Sequence, residues 1–252
     1  MKIKNTLPLI LLCFFYWTSS FAQKTITTDE QTWFGVLSQI RFSQRWGLWA
    51  DAHLRLRENY LGELAQSIVR VGPTFYITDD VRLTAAYAYV NHFPGEGHEN
   101  ISQPEHRPWQ QVQWFTRWPK VRLMQAIRLE ERFRRKILDD NTLAEGYLYN
   151  PRVRYNFALF FPLTKKGLNP GGLQFLLNDE IMVNFGKNIV YNYFDQNRFF
   201  AGLAYQINPH AQLQGGYMNL FQQQASGNRY RNQHTIRIFY FHNFDLRKQA
   251  TK

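Results

Sequence analysis

Apolar and polar residues alternate along most of this chain in long segments with a period of two. One face of the segment 45–57 is apolar, and its alternate positions are Trp46, Leu48, Ala50, Ala52, Leu54 and Leu56. The intervening positions are mostly polar or charged. Alternation of this kind predicts a strand with one apolar face. The same pattern predicts strands at roughly 31–42, 64–77, 81–93, 105–118, 121–136, 146–161, 172–186, 196–207, 211–224 and 232–244.

Most of these segments are longer than the strands of soluble proteins. They run for roughly 12 to 16 residues, whereas an ordinary strand has about 5–6. A tilted strand needs about 9–11 residues to cross the hydrocarbon layer of a membrane and usually projects beyond it. The length therefore predicts an all-β fold, a transmembrane antiparallel up-and-down β-barrel.

The connections between the segments support the same architecture. Short turns are predicted at 43–45, 78–80, 119–120 and 208–210. Longer loops are predicted at 58–63, 94–104, 137–145, 187–195 and 225–231. The two kinds alternate along the chain, as the periplasmic turns and outer loops of membrane barrels do. The exception is the connection 162–171, which has ten residues where a short turn is expected.

The short turns also make a register prediction. Residues opposite each other in an antiparallel pair face the same side of the sheet. A three-residue turn at 43–45 pairs Ile40 with Leu48, and a turn at 78–80 pairs Phe75 with Leu83. Apolar residues meet apolar residues in both hairpins, which supports these turns.

The strand count is predicted as about twelve, with ten as the alternative. The pattern gives eleven segments. If the last one ends on the periplasmic side, the first, at 31–42, runs inward from the outer side. An exported chain should begin on the periplasmic side, so one strand is missing. We assign a short twelfth strand to Gln23–Glu30.

The first 22 residues have the order of a secretory signal peptide. Two lysines precede an apolar run, Leu7–Trp17, which is too short to span a bilayer as a helix. Small residues at Ser20 and Ala22 precede the predicted cleavage site. We expect residues 1–22 to be removed and residues 23–252 to form an outer-membrane barrel domain.

Basic residues exceed acidic ones throughout the exported part. The chain has 30 Lys and Arg against 19 Asp and Glu, and the loss of two lysines with the signal leaves 28 against 19, a net charge of +9. These basic residues alternate with apolar ones and form no runs. Together with the export signal, this distribution argues against a nucleic-acid partner. The only cysteine, Cys13, lies in the signal, so the exported part has no disulfide framework.

Aromatic residues are predicted near both ends of the strands, as in the interfacial girdles of membrane barrels. Those beside the short turns are Phe42, Trp46, Phe75, Trp118, Phe161, Tyr205 and Phe244. Those towards the longer loops are Tyr87, Tyr89, Phe93, Phe133, Tyr147 and Tyr149. Two such rows at the ends of an apolar band favour a membrane-spanning wall.

The polar faces of successive strands are predicted to line the lumen as one polar network. Its members are Asp51, His53, Arg55, Arg57, Gln66, Arg70, Glu105, Arg107, Gln111, Arg128, Glu130, Arg132, Arg152, Arg154, Asn178, Glu180 and Arg198. Because isolated charges in a narrow barrel are costly, these residues are expected to pair. Three interpretations follow: a structural ladder that fills the lumen, a positive constriction that favours anions, or a ligand site for an acidic sugar or lipid headgroup.

Several short motifs together resemble a known family. They are Trp33, Arg55 with Arg57, Gln66 with Arg70, Glu105–Gln111, Arg128–Phe133, Arg152–Tyr155, Asn178–Glu180, Asp195–Arg198 and Gly216–Met218. Across most of the exported part, the chain resembles the family called domain of unknown function 2490, found in exported proteins of Bacteroidota-type bacteria. The resemblance implies an outer-membrane barrel without an established activity, and it transfers no catalytic residues.

The sequence favours a passive, anion-favouring channel or a small structural or binding barrel, and it does not favour an enzyme. No serine is obviously placed beside the candidate base His53. No cofactor is expected, and the metal-capable residues between His92 and His106 have no standard ligand spacing. Expected partners are outer-membrane lipid, the barrel-assembly machinery and small anionic solutes. The alternative is a soluble periplasmic barrel that carries a lipid or other apolar ligand inside, with its arginines outside.

Overall fold

The strands predicted from the alternation close into a barrel. The computed structural model describes residues 24–167 and 169–247. The strands in these ranges are β1 Thr25–Arg41, β2 Trp46–Arg57, β3 Glu63–Tyr76, β4 Val81–His92, β5 Gln103–Trp118, β6 Val121–Asp139, β7 Thr142–Pro162, β8 Leu173–Asn184, β9 Phe194–Gln206, β10 Ala211–Gln223 and β11 Arg229–Asp245. Each pairs with the next, and β11 pairs with β1. The predicted signal peptide, 1–22, lies outside the described residues.

No helix in the described ranges is long and apolar enough to cross a membrane.

The predicted count of about twelve strands is close to what the described residues form, but the separate strand assigned to 23–30 is not present in them. Residues 25–30 instead form the first part of β1, which continues to Arg41 without a turn. This part contains neither glycine nor proline, so it lacks the residues that most readily reverse a chain. The described part of the chain therefore forms eleven strands.

The barrel closes through one parallel pair of strands, which corrects the expectation of a wholly antiparallel sheet. β1 and β11 pair from Thr25 opposite Arg229 to Arg41 opposite Asp245. The remaining neighbours are antiparallel. In an up-and-down barrel with an odd number of strands, the first and last strands run in the same direction. Thr25 and Asp245 consequently lie at opposite rims.

The two rims carry different connections. We call one the turn rim, with the connections 42–45, 77–80, 119–120, 163–172 and 207–210. The opposite one is the loop rim, with the connections 58–62, 93–102, 140–141, 185–193 and 224–228.

One of the predicted long loops, 137–145, is mostly strand. β6 and β7 continue to Asp139 and from Thr142, so the hairpin projects beyond its neighbours at the loop rim. Register shifts next to Ile137 explain why the alternation fades there in the sequence, because each irregularity changes which face a residue occupies.

The registers predicted from the short turns are confirmed. Ile40 lies opposite Leu48, and Phe75 lies opposite Leu83. In the hairpin of β5 and β6, Glu105 lies opposite Arg134. A slip of one residue would have exchanged the two faces of a strand, so these pairings fix which side chains enter the barrel.

Large apolar side chains are exposed on the outer wall of every strand that the structure describes. Exposed large apolar residues, one from each strand in order, are Phe34, Leu54, Val69, Leu83, Trp118, Ile127, Val153, Ile181, Phe199, Tyr217 and Ile236. Aromatic residues are exposed near both rims, with Phe42, Trp46, Tyr205 and Phe244 near the turn rim and Tyr87, Tyr89, Tyr147 and Tyr149 towards the loop rim. The hydrophobic surface thus forms a belt around the molecule.

The interior contains apolar clusters as well as polar groups. One cluster joins Trp33 of β1 to buried side chains of β7 to β10, including Leu176, Phe200 and Met218. A second one, on β3 to β5, is built around Ile68 and Trp109. These side chains fill part of the lumen, so the space left for solvent or a ligand is divided and narrow.

Candidate functional site in the barrel lumen

Glu130 is the centre of an ion-pair network on β5 to β7. Its carboxylate accepts hydrogen bonds from Arg152 Nη2 at 2.5 Å and from Arg154 Nη1 at 2.6 Å. The guanidinium groups of Arg107 and Arg128 approach it to 3.8 and 3.7 Å. The Glu130 residue is fully buried. Four cations therefore surround one carboxylate, and this carboxylate links three adjacent strands.

A second carboxylate, Glu105, links β4, β5 and β6. Arg107 Nη2 lies 2.7 Å from Glu105 Oε1, and Arg134 Nε lies 3.2 Å from Oε2. His92 Nε2 lies 3.0 Å from the same Oε2, and the His92 ring also contacts the Gln66 amide. Since Arg107 reaches both Glu105 and Glu130, the two centres form one network.

The network continues onto β8 and β9. Glu180 accepts hydrogen bonds from Arg154 Nη2 at 2.5 Å and from Arg198 Nη1 at 3.1 Å. Asp195 pairs with Arg152, and Arg132 Nη1 lies 3.8 Å from it. The ion pairs thus run without a break across the β5–β9 wall, which agrees with the interpretation of a structural ladder.

A separate cluster lies on β2 and β3. Arg70 Nε donates to Asp51 at 2.7 Å, and the Trp49 indole also donates to this carboxylate. His53 Nε2 lies 3.0 Å from Asp51 and 2.6 Å from Arg70 Nη2. Asp51 is thereby held by neighbours on two adjacent strands.

The main carboxylates of these clusters are buried and do not line the open space of the lumen, whereas the arginines that bind them do. Glu105 and Glu130 are 0% exposed, Asp195 is 3% exposed and Asp51 is 5% exposed. The guanidinium groups lie between these carboxylates and the open space of the lumen. A solute next to these clusters therefore meets mainly their guanidinium groups.

Four arginines in the lumen have no carboxylate partner among the described residues, namely Arg55, Arg82, Arg122 and Arg237. All four lie over aromatic rings. The guanidinium carbon lies 3.6 Å from the Trp33 ring centroid for Arg55, 5.2 Å from Phe115 for Arg82, 4.3 Å from Phe160 for Arg122, and 3.5 Å from Phe200 for Arg237. Cation–π contacts offset part of the cost of burial, but they supply no charged acceptor for the N–H groups.

A waist divides the lumen into two chambers. The turn-side chamber has a volume of about 540 Å³, and the loop-side chamber has a volume of about 1230 Å³. Both are lined by the same four residues, Trp33, Arg55, Arg107 and Arg198. The Arg198 guanidinium carbon lies 4.9 Å from the Trp33 ring centroid. Because β9 and β1 are not neighbours, this contact crosses the lumen.

The residues of the predicted polar network lie inside the barrel. The structure joins most of them directly by ion pairs or hydrogen bonds. Asn178 is more peripheral, and its carboxamide oxygen lies 3.3 Å from Arg237 Nη1. Arg57 is at the loop rim, where it pairs with Glu63. Arg55 contacts Trp33 and does not join the ion pairs of the described residues.

The metal-capable residues between His92 and His106 are dispersed. His92 bonds to Glu105 inside the lumen, and His106 stacks against tyrosines on the outer face. Glu96 pairs with Arg231 at the loop rim. In the turn-rim connection 77–80, a hydrogen bond from Arg41 lowers the pKa of the Asp79 carboxyl below its usual value.

A family model described as "Protein of unknown function (DUF2490)" matches residues 30–231. The chain belongs to this family. Neither a curated protein nor a solved structure matches the chain. The match runs from β1 into the start of β11, so most of the DUF2490 lumen, including its waist, lies inside the matched region.

Sequence reasoning missed several residues of this DUF2490 lumen. The pattern predicts a loop that includes Asp195, whereas this residue is buried in β9 and paired with Arg152. The sequence identifies Trp33 only as part of the family resemblance. Its place in the lumen could not be predicted, because its contact with Arg198 depends on how β1 and β9 face each other in the closed barrel. Arg237 lies among polar positions at alternate places along β11, so the pattern that identified Arg198 could have identified it too.

Proposed function

We propose that this protein is an outer-membrane β-barrel whose lumen is closed at its waist and binds anionic solutes. The observation that supports this proposal most strongly is that every described strand exposes large apolar side chains on the outer wall, while the arginine network is buried inside. Large contiguous apolar surfaces mark sites that contact lipid or other proteins, and a belt around the whole molecule fits lipid.

The lengths of the strands and the aromatic rows support the membrane placement. The described strands have 12 to 21 residues, which is more than a tilted strand needs to cross the hydrocarbon layer. In this proposal, the turn rim faces the periplasm and the loop rim faces outward, as in known outer-membrane barrels. Outer-membrane lipid then solvates the wall, and the barrel-assembly machinery inserts a chain exported by its signal peptide.

Closure of the lumen is supported by the waist. Trp33 is only 4% exposed, and the guanidinium groups of Arg55 on β2 and Arg198 on β9, strands on either side of β1, lie over its ring inside the barrel. Such a plug restricts bulk flow, while the arginines on both sides attract anions. The proposal assigns no catalytic step to the lumen.

An anion-favouring channel is the second candidate. It is favoured because the two chambers share their four waist residues, so movement of a few side chains would join them. Three of those four residues are arginines, and a pore that opened there would favour anions. Conductance distinguishes the two functions and is treated below.

Fractionation of the cell envelope tests the membrane placement. We expect the protein in the outer-membrane fraction, resistant to high salt and released only by detergent, because the apolar belt is then in lipid. A periplasmic protein of similar size provides the control for lysis. Recovery in the soluble periplasm without detergent would contradict the proposal and favour the soluble, lipid-carrying alternative.

A further inference from the structure

The two chambers of the lumen differ strongly in charge. Within the described residues, the turn-side chamber is lined by ten arginines and one carboxylate, Glu180. The loop-side chamber is lined by eight arginines and six carboxylates. The lining of the loop-side chamber is thus almost balanced in charge. In the turn-side chamber, six of the ten arginines pair with carboxylates, most of which lie behind the lining. The other four have no carboxylate partner among the described residues and give the chamber a positive excess.

The unpaired arginines contribute to this excess. Arg55, Arg82, Arg122 and Arg237 all line the turn-side chamber. The Nε groups of Arg55, Arg122 and Arg237 are buried and have no hydrogen-bond partner among the described residues. A buried donor without an acceptor is costly, and a buried cation without a counter-charge is more so. An anion in the chamber would supply both missing partners.

Arg237 is the best placed of these groups. The residue is 8% exposed. Its terminal nitrogens make only long contacts, at 3.3 Å to Asn178 and 3.4 Å to Gln214, and both acceptors are neutral amides. The Nε group has no described partner. A carboxylate or phosphate oxygen would bind this guanidinium more strongly than the two amides do, because charge-assisted hydrogen bonds are roughly twice as strong as neutral ones.

The same chamber also has an apolar side. Met124, Phe160, Leu176, Met218 and Phe239 line it, and these side chains belong to the larger apolar cluster of the interior or pack against it. The volume of about 540 Å³ is typical of a small-molecule site. A simple inorganic anion would satisfy the arginines but would leave this apolar surface in contact with water.

We propose that the turn-side chamber binds a small amphipathic anion, an organic acid whose carboxylate or phosphate head contacts Arg237 and Arg122 while its apolar body packs on Phe160 and Met218. The site rests on the proposed function, since it identifies the class of anionic solute. The lining reaches Pro209 and His210 of the turn rim, so the ligand enters from that rim. In the proposed orientation, this is the periplasmic side.

Calorimetric titration of the full-length mature protein in lipid nanodiscs tests this site. The probe is 2-naphthoate, with empty nanodiscs as the background. Naphthalene-2-carboxamide has the same body without the charge, and inorganic phosphate has the charge without the body. We expect saturable binding of naphthoate and at least about tenfold weaker binding of each comparison compound, since each lacks one set of contacts.

Two variants locate the site on the arginines. Arg237→Gln and Arg122→Gln remove cations that have no described carboxylate partner, so both should fold, and each should weaken naphthoate binding about tenfold. Arg231→Gln is the matched control, because Arg231 lines only the loop-side chamber and should leave the affinity unchanged. Retention of heat-modifiable migration on gels confirms that each variant is folded.

The outcomes separate this site from the function on which it rests. Absence of naphthoate binding by the folded protein, or equal binding of the carboxamide or of phosphate, would overturn the amphipathic-anion site. An unchanged affinity in both arginine variants would overturn its location. None of these results bears on the membrane placement or on the closed waist. Failure of the proposed function would appear instead as recovery in the soluble periplasm or as steady conductance of the wild-type barrel.

Discussion

Replacing Glu130 by glutamine is expected to lower the free energy of unfolding by about 3–5 kcal/mol, the usual cost of removing one partner from a buried ion pair. Glu130 binds Arg152 and Arg154 at 2.5 and 2.6 Å. Arg107 and Arg128 also face it. The substitution leaves several buried cations that repel one another. Equilibrium urea unfolding of the refolded barrel in lipid vesicles measures the loss.

Glu99→Gln is the matched control for this variant. Glu99 is exposed in the loop-rim connection 93–102 and makes no ion pair with the described residues. The chemical change is identical, so the control should change the free energy of unfolding by less than about 0.5 kcal/mol. Equal losses in the two variants would show that the Glu130 network contributes no special stability to the barrel.

The second large effect is expected from opening the waist. Trp33 contacts Arg55 and Arg198, and its indole N–H donates to Gln31 at 2.7 Å. Replacing it by alanine removes the ring that lies between the two chambers. We expect the wild-type protein to show little steady conductance in planar bilayers and Trp33→Ala to conduct severalfold more. In a salt gradient, the reversal potential should indicate a preference for anions, because arginines border the opening.

Two further variants test whether the conductance of Trp33→Ala comes from poor folding or from the loss of any tryptophan. A buried Trp→Ala change costs about 3–5 kcal/mol, so the milder Trp33→Leu variant is measured beside it and should give an intermediate conductance. Trp46→Ala removes an indole from the outer surface and should leave the conductance at the wild-type level. A wild-type barrel that conducts as well as Trp33→Ala would support the channel and contradict the closed waist.

The local structure was predictable because the period of two survives along nearly every strand. The alternation identified the strands to within a few residues at most ends. The short turns fixed the registers, as the pairs Ile40–Leu48 and Phe75–Leu83 confirm. Inward-facing charges such as Glu130 and Arg152 followed from the same alternation, because once one face of a strand is assigned, every second residue shares it.

Closure was not predictable from the same pattern. Alternation within a strand does not say which edges meet, and the twelfth strand follows only from the expectation that an exported chain begins on the periplasmic side. The parallel pairing of β1 with β11 instead closes the described barrel with eleven strands. The waist was missed for a related reason: Trp33 and Arg198 are brought together across the lumen, and no local signal connects them.

The charge asymmetry of the chambers also lies beyond a strand-by-strand reading. The acidic residues that balance the loop-side chamber include Glu58, Glu96 and Glu99, which lie in connections. Their contribution depends on how the connections fold over the rim. The apolar side of the turn-side chamber was hidden because Leu176 lies between Phe175 and Leu177 and Met218 follows Tyr217, so alternation there gives no clear inward face.

Spin-label accessibility tests the central claim, an apolar wall in lipid around a charged interior, most directly. Residues 23–252 contain no cysteine, so single cysteines at Val69, Ile127 and Phe199 can carry a nitroxide at outward-facing positions of three strands, with Glu99 of the loop rim as the aqueous control. In lipid vesicles, we predict that the three wall positions collide frequently with oxygen and rarely with a water-soluble nickel complex, and that Glu99 shows the reverse. Wall positions as accessible to the nickel complex as Glu99 would contradict the account.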